Sequence, residues 1–499
     1  MTQAQARTLA ELGLAAKHGV QAKVTGLAID SRQVKDGTLF AALPGSRMHG
    51  GEFIQYALRM GASAILTDAA GARIAADVLA GSDAALVVTE DARAALACAA
   101  ALWFGAQPEV MVAVTGTNGK TSVASFARQI WEAIGLAAIN VGTTGVEGSY
   151  AAPLAHTTPD AITLHRVLAD AAHAGVTHAA MEASSHGLEQ RRLDGVQLMA
   201  AAFTNFTQDH LDYHHTFEAY FAAKAGLFDR VLPEGGVAVI NMDDAKGAVV
   251  ANLAEARGQD VLRVGRHKDA QLRLLNQRFY PTGQVVRFSW LDEVHQIELP
   301  LIGGFQGENL LLAAGLVIGA GADTSRVFQV LPEMRTVRGR MQLAATRANG
   351  AAVFVDFAHT SDAVAVAIQA LRPHVMGRLI AIIGAGGDRD PGKRPLMGQA
   401  AASYADLVIV TDDNPRSEDP GGIRAAVMAG CPEASNVGDR AEAILRGVDA
   451  LGPGDALLIL GKGHETGQTV GMDVLPFNDA EQASVAVMAL DAAQVGDGA

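Results

Sequence analysis

Cysteine is nearly absent. The 499-residue chain carries two, Cys98 and Cys431, too few and too far apart for a disulfide framework or a thiolate metal site. Reduced, structural thiols are the expectation for both. A basic surface is also missing, because the formal net charge is -14. Proteins that grip duplex nucleic acid draw affinity from neutralised phosphates, so nucleic acid is not expected as a partner. Small polyanions such as nucleotides stay open, since a few local cations and backbone N–H groups suffice for them. Long hydrophobic runs are lacking too. The longest, Leu96 to Ala106, is too short to cross a bilayer, and the opening Met-Thr-Gln-Ala-Gln-Ala-Arg has no apolar core of an export signal. A cytoplasmic protein with no membrane contact is expected, and a monomer. There is no internal repeat and no low-complexity tract.

What is present is a soluble α/β composition, with 49% hydrophobic and 18% charged residues and 54 glycines. Length alone suggests about three domains. Short apolar runs alternate with Gly-containing turns over Val24–Thr89, and an Ala-rich helical stretch, Asp91–Phe104, ends at the linker-like Gly105-Ala-Gln-Pro108. Strand-like runs recur at Val110–Thr115, Ala179–Glu182, Ala200–Thr204 and Gly236–Asn241, separated by helical periodicity. That is the rhythm of a parallel sheet covered by helices. Leu262–Leu301 is read as a β-rich insertion. A last unit repeats the α/β pattern through Ala352–Phe357, Leu379–Gly384, Leu407–Thr411 and Ala456–Gly461. The predicted domains are 1–108, 109–336 and 337–499. All are α/β, the middle one built on a P-loop-type parallel sheet and the last Rossmann-like.

The sharpest local signal is Gly116-Thr-Asn-Gly-Lys-Thr121, placed between the apolar strand Val110–Thr115 and a helical stretch beginning at Ser122. Successive N–H groups in such a turn form an anion-binding nest, and the following helix adds its positive end. Lys120 is suited to the β- and γ-phosphates of a nucleotide, and the Thr121 hydroxyl to Mg²⁺. The loop is a shorter G-x-x-G-K-T form, with Val114 where the longer phosphate loop begins its glycine. A tight turn needing glycine for geometry alone is the competing reading. A Gly-Lys-Thr triplet at the mouth of an apolar strand argues against it.

Two further strand ends carry chemistry. Met181-Glu-Ala-Ser-Ser-His-Gly-Leu188 follows one, and Asn205-Phe-Thr-Gln-Asp-His-Leu-Asp-Tyr-His214 the next. Hard Mg²⁺ prefers oxygen ligands, so Glu182 beside Thr121 suits it. His210 is an unusual Mg²⁺ ligand, and with Asp209, His214 and His215 zinc is an alternative. Lys224 is, by itself, one lysine on an amphipathic helix.

With these motifs the chain resembles the Mur ligase family, which with the related folylpolyglutamate synthetases phosphorylates a carboxylate and couples it to an amine. The resemblance extends over nearly the whole chain. It implies that Glu182 and His210 help to hold two Mg²⁺ ions with ATP, together with Thr121. It also implies that Lys224 is carbamylated by CO₂ (an N6-carboxylysine) and that Lys120, Lys224, His210 and Glu182 are catalytic. The phosphate-loop residues Gly116, Thr117, Asn118, Gly119, Lys120, Thr121 and Ser122, with Asn309, Arg340, Asp356 and His359, fall at positions that clasp ATP. Ile29, Ser31, Ser46, Arg47 and Met48 in the N-terminal part, with Thr157, Thr158, Ser184, Gln190 and Arg192, match positions that contact UDP-MurNAc-L-Ala-D-Glu. Arg192 is chemically apt as a fork for a carboxylate or phosphate.

Asp412-Asp-Asn-Pro-Arg416 resembles the motif of the branch that adds meso-diaminopimelate. The implied contacts are Arg389, Asp413, Asn414, Pro415, Arg416, Gly461 and Glu465. Arg416 would pair with the distal carboxylate of diaminopimelate, a group that lysine lacks. Three positions depart from the pattern, His156, Gln342 and Phe357. The expected activity is an ATP-dependent carboxylate–amine ligase of peptidoglycan precursor synthesis, working through an acyl phosphate. The rivals are the same reaction with L-lysine, another ligase such as a folylpolyglutamate synthetase, and a nucleotide-binding regulator without ligase chemistry.

Overall fold

A computed structural model describes residues 6–19, 21–45 and 48–496. Ser46 and Arg47 lie outside the described residues. The N-terminal part is a four-stranded parallel sheet of β1 (Gly26–Ala28), β2 (Thr38–Ala42), β3 (Ala64–Thr67) and β4 (Ala85–Val88) in sequential order. Helix α1 (Ala92–Phe104) follows. Asp91 caps it by accepting from the Ala94 amide at 2.9 Å, and Gly105 ends it in the left-handed conformation at φ 71°. A cap of this kind stabilises a helix by about 1 kcal/mol. Glycine is the residue that takes φ > 0 without a Cβ penalty.

The central sheet has ten strands. In chain order they are β5 (Val110–Thr115), β6 (Ala138–Gly142), β7 (Gly145–Gly148), β8 (His178–Glu182), β9 (Ala200–Phe203), β10 (Val237–Asn241), β11 (Asp260–Gly265), β12 (Leu272–Tyr280), β13 (Gly283–Trp290) and β14 (Glu293–Leu299). Their spatial order is β14-β13-β12-β11-β10-β9-β5-β8-β6-β7. Strand β5 pairs in parallel with β9 on one side and β8 on the other. The chain order thus reverses direction at β5, the switch point where open α/β sheets bind ligands. Because β5 is covered on both faces, it reads as a continuous apolar run. Val112 and Val114 join the core of Phe126, Ile130 and Trp131 from helix α2 (Lys120–Ala133). Met111 and Ala113 face Leu164, Leu227 and Phe228 on the other side. Burying each of these large side chains is worth about 1.5–3 kcal/mol.

The stretch read as a β-rich insertion is not a separate layer. Strand β12 joins the sheet in parallel through Val264↔Leu272 and Gly265↔Arg273, and β13 and β14 extend it as antiparallel neighbours. Polar alternation on these strands reflects one covered face at a sheet margin. Helix α3 (Phe217–Gly226) passes into a π-turn at Leu227–Val231, which buries Leu227 and Phe228. Helix α4 (Gly304–Gly319) packs its Leu310 and Leu316 in the same core as α2.

The C-terminal part is a six-stranded sheet of β15 (Gln342–Thr346), β16 (Ala352–Asp356), β17 (Leu379–Ile383), β18 (Leu407–Val410), β19 (Ser435–Asn436) and β20 (Ala456–Leu460), in the order β15-β16-β20-β17-β18-β19. Only β15 runs antiparallel. A hairpin of β21 (Gly467–Val470) and β22 (Asp473–Pro476) follows β20. The two cysteines differ from the expected pair of structural thiols. Cys431 is buried, but Cys98 is exposed on α1.

Candidate active site

The phosphate loop hangs between β5 and α2. Gly116 (φ 147°) and Gly119 (φ 87°) adopt backbone that side chains disfavour. A Cβ on Gly116 would stand 1.8 Å from Thr204 Oγ1, and one on Gly119 would stand 2.6 Å from Asn309 Oδ1. Both glycines are therefore required by space as well as by torsion. Neighbouring loops hold the rest. The Thr117 amide donates to the Asn205 carbonyl at 2.9 Å and the Asn118 amide to Asn205 Oδ1 at 2.8 Å. No side chain caps the N-terminus of α2 at Gly119, so its first-turn N–H groups remain directed at the loop mouth. Ser122 is buried in that turn. Lys120 curls over the loop, its Nζ donating to the Gly116 and Thr117 carbonyls at 2.9 Å each.

A second lysine reaches the same carbonyl. Lys224 Nζ donates to Gly116 O at 2.6 Å, and the residue is 1% exposed. The Tyr220 ring lies 4.6 Å from the Lys224 ammonium position. Burial, and then the nearby Lys120 charge, hold the Lys224 amine well below the usual lysine range. Burial lowers the Lys120 amine too, and two full cations on one carbonyl would repel strongly at low local dielectric, so the setting favours the uncharged form of Lys224.

Glu182, at the end of β8, faces the loop from the other side. Its carboxylate accepts from Thr121 Oγ1 at 3.1 Å, from the Thr143 amide at 2.7 Å and from Thr143 Oγ1 at 3.2 Å. Thr143 was not anticipated, although Gly142-Thr-Thr-Gly145 occupies another strand end in the same row. Glu182 and Thr121 are a hard-oxygen pair beside the phosphate nest, a donor set suited to Mg²⁺. His210 sits in left-handed backbone (φ 52°), 3.5 Å from Asp209 and edge-on to His186 at 5.0 Å. Among the described residues, no three His, Cys, Asp or Glu side chains group closely enough to hold a metal ion by themselves.

From the C-terminal part, Arg340 donates to Thr121 Oγ1 at 3.0 Å, with its guanidinium 4.6 Å from the Phe357 ring. Asp356 accepts from the Met341 and Ala358 amides at 2.7 and 2.9 Å. Burial raises its carboxyl, and Arg340 opposes that rise. His359 bonds the Phe357 carbonyl through Nδ1 at 2.8 Å. Gln342, one of the departures, accepts from the Gly339 amide at 2.8 Å, a task a carboxylate would perform equally well. His464 was also missed. Its ring lies 5.1 Å from that of Phe357, and burial, then Arg340 and Arg338, push its imidazole down to about 4.

The third group of expected residues divides. Ile29, Gln190 and Arg192 line a cavity of about 100 Å³ between the N-terminal and central parts, with Leu43, Arg93, Leu96, Asp160 and Ala161. Arg192 donates to the Thr158 carbonyl and to Gln190 Oε1, and Gln190 donates to Tyr213 Oη at 2.9 Å. Thr158 Oγ1 donates to the Glu182 carbonyl at 2.8 Å and accepts from the Ser184 amide, while Thr157 meets Thr143 at 3.0 Å. A connected path thus runs from the cavity to Glu182. Ser31, in a short 3₁₀ turn, and Met48, which is 56% exposed, do not line that cavity.

The fourth group forms a separate cluster at the carboxyl ends of β17, β18 and β20. Arg416 donates through Nη1 to the Gly387 carbonyl at 2.8 Å. A Cβ on Gly386 would stand 2.8 Å from that nitrogen and 3.9 Å from Arg389 Cγ, so both arginines border one spot. Asn414 donates to Glu465 Oε2 at 2.9 Å. Gly461 (φ 113°) lies against Asp413, with a Cβ there 2.3 Å from Oδ2. Pro415 packs its carbonyl where a Gly387 Cβ would stand, at 1.9 Å.

Three segments match family descriptions. Residues 23–103 match the Mur ligase family catalytic domain, 114–317 the Mur ligase middle domain and 339–463 the Mur ligase glutamate ligase domain. A UDP-N-acetylmuramoyl-L-alanyl-D-glutamate–2,6-diaminopimelate ligase of Caulobacter vibrioides is 48% identical, covering 94% of this chain and 96% of its own. The protein of the same name from Bradyrhizobium diazoefficiens is 48% identical over 93% and 95% of the two chains. A solved structure of a ligase with that name aligns with TM-score 0.70 at 33% identity, covering 97% of this chain and 99% of the other. In fold alone, a Mycobacterium tuberculosis folylpolyglutamate synthase complexed with ADP is also similar, with TM-score 0.61, 20% identity and coverage of 74% and 91%.

Proposed function

The chain belongs to the Mur ligase family, as an ATP-dependent ligase of UDP-MurNAc-tripeptide synthesis, and on that premise we propose that it joins meso-diaminopimelate to UDP-MurNAc-L-Ala-D-Glu through an acyl phosphate. The observation that carries the reading is the convergence on Thr121 of Glu182 from the central sheet and Arg340 from the C-terminal sheet, beside Lys120. Phosphoryl transfer needs positioning and charge neutralisation more than covalent help. A γ-phosphate in the Gly116–Thr121 nest would meet the helix N-terminus, Lys120 and Arg340 together. The D-Glu γ-carboxylate attacks that phosphorus and ADP leaves. A neutral amine of diaminopimelate then attacks the acyl carbon and gives up one proton to solvent, the C–O bond breaks, and phosphate departs with one former carboxylate oxygen.

Glu182 and Thr121 would hold one Mg²⁺ ion through oxygen, and His210 with a carbamate on Lys224 would hold a second. Bound Mg²⁺ supplies neutralisation of the phosphate charge. A neutral lysine amine is the form that adds CO₂, releasing one proton and leaving an anionic carbamate. The setting of Lys224 favours that form. The cavity bordered by Ile29, Gln190 and Arg192 is assigned to the UDP-MurNAc-peptide, and its path to Glu182 would deliver the carboxylate to the nest. Arg389, Asp413, Asn414, Pro415, Arg416, Gly461 and Glu465 receive diaminopimelate, Arg416 taking its distal carboxylate. The protein is assigned to the cytoplasm as a monomer. Among the described residues no helix is long and apolar enough to cross a membrane.

The test is isotopic. With ¹⁸O in the D-Glu γ-carboxylate, turnover through an acyl phosphate carries one ¹⁸O into the released phosphate. Unlabelled phosphate in step with product would overturn the intermediate.

A further inference from the structure

Beneath the amino-acid loops lies a lysine that the reaction as described does not use. Lys462 is 0% exposed. Its Nζ donates to Asn414 Oδ1 at 3.2 Å and to Glu465 Oε2 at 3.1 Å, and stands 3.6 Å from Asp413 Oδ1. That Asp413 oxygen is buried and has no hydrogen-bond partner, so the ammonium is its nearest compensation. Asn414 Oδ1 takes a second bond from the Thr469 amide at 2.8 Å, while its Nδ2 donates to Glu465. One amide thereby ties the 412–416 turn to the 461–465 turn and to strand β21. The orientation of the amide follows from its neighbours, because a flip would set Nδ2 against an ammonium and an N–H.

A buried ammonium is costly unless it is paired and hydrogen-bonded. Here both carboxylates that satisfy it belong to the pocket wall. The side chain of Glu465 remains 34% exposed, whereas Lys462 itself reaches no solvent and so no substrate. We propose that Lys462 is the specificity-positioning residue of the amino-acid pocket. It holds Asn414 and Glu465 at a set spacing from Arg416, so that an acid and a guanidinium meet the ammonium and carboxylate at one end of the incoming amino acid. A substrate carrying only an ammonium at that end gains little from the arrangement. The inference rests on the diaminopimelate reading above.

The experiment compares the full-length parent with Lys462→Met, Glu465→Gln and the double variant in steady-state phosphate release. Phosphate release by the parent with diaminopimelate is the control, and its failure there would sink the proposed function rather than this inference. With an active parent, Lys462→Met is expected to raise KM for diaminopimelate about tenfold or more, the scale of a lost charged hydrogen bond. KM for ATP should stay unchanged, and the preference for diaminopimelate over L-lysine should fall. Both residues act through one carboxylate, so the double variant should lose no more than the worse single one. An unchanged KM for diaminopimelate, a parallel rise in KM for ATP, or multiplicative losses in the double variant would overturn the proposal. If Lys462→Met fails to fold, as read by its thermal unfolding, Asn414→Asp decides. It keeps both bonds into Oδ1 and replaces the donor to Glu465 by a carboxylate oxygen that repels it. A selective rise in KM for diaminopimelate supports the framework, and its absence contradicts it.

Discussion

The loop proposed to hold phosphate and the turn proposed to receive the amino acid use the same uncommon backbone in opposite ways. At the end of β5 the left-handed positions are glycines, Gly116 and Gly119. At the end of β18 they are Asn414 (φ 45°) and Arg416 (φ 51°), flanking Pro415, and facing Asp388 at φ 54°. A phosphate is gripped by main-chain N–H groups, so side chains at those positions would only obstruct. On the proposed reading an amino acid has to be told from others by side chains, so the turn keeps them and carries strain of about 1 kcal/mol or more per residue. The strain is offset locally. Arg416 donates its amide to the Thr469 carbonyl at 3.1 Å, and its own carbonyl accepts from Gly471 at 2.7 Å. The hairpin of β21 and β22 thus serves as a brace for a turn that its own residues would not favour.

The largest effect expected is at the glycine-built site. Lys120→Ala should lower kcat about a thousandfold or more, as for a lost charge-stabilising donor, with the thermal unfolding midpoint nearly unchanged. Near-normal turnover would break the assignment of the loop. Next, Arg416→Ala should raise KM for diaminopimelate about ten- to a hundredfold and leave KM for ATP alone. A titration showing equal loss of both would remove the distinction between the two regions. Gly119→Ala should raise KM for ATP about tenfold, since the new Cβ meets Asn309 Oδ1 in a left-handed position. The smallest effect tests strain directly. Arg416→Gly should be more stable to denaturant than Arg416→Ala by about 1 kcal/mol, whereas equal stabilities would show that the turn is relaxed.

The same contrast governs what could be read from the residues. Gly116–Thr121 announces itself because its geometry demands glycine and its chemistry demands Lys and Thr in fixed order. The strands around it were legible as unbroken apolar runs, since both faces are covered. Strands β12 to β14 were legible as strands but not as part of the central sheet, because pairing partners leave no mark in local alternation. Thr143 and His464 escaped notice, as each acts through a contact made only when distant segments meet. Lys224 drew attention only through resemblance. Its singular setting, a shared carbonyl with Lys120 and full burial, is a product of packing. Ser31 and Met48 remain assigned by resemblance, and neither lines the cavity bordered by Ile29, Gln190 and Arg192.

The most direct measurement is phosphate release with ATP, Mg²⁺ and UDP-MurNAc-L-Ala-D-Glu, with meso-diaminopimelate and L-lysine offered in parallel. Release with diaminopimelate and little with lysine is the predicted result. Release with lysine alone would leave the ligase standing and contradict the role given to Arg416, and no release with either would contradict the reaction itself.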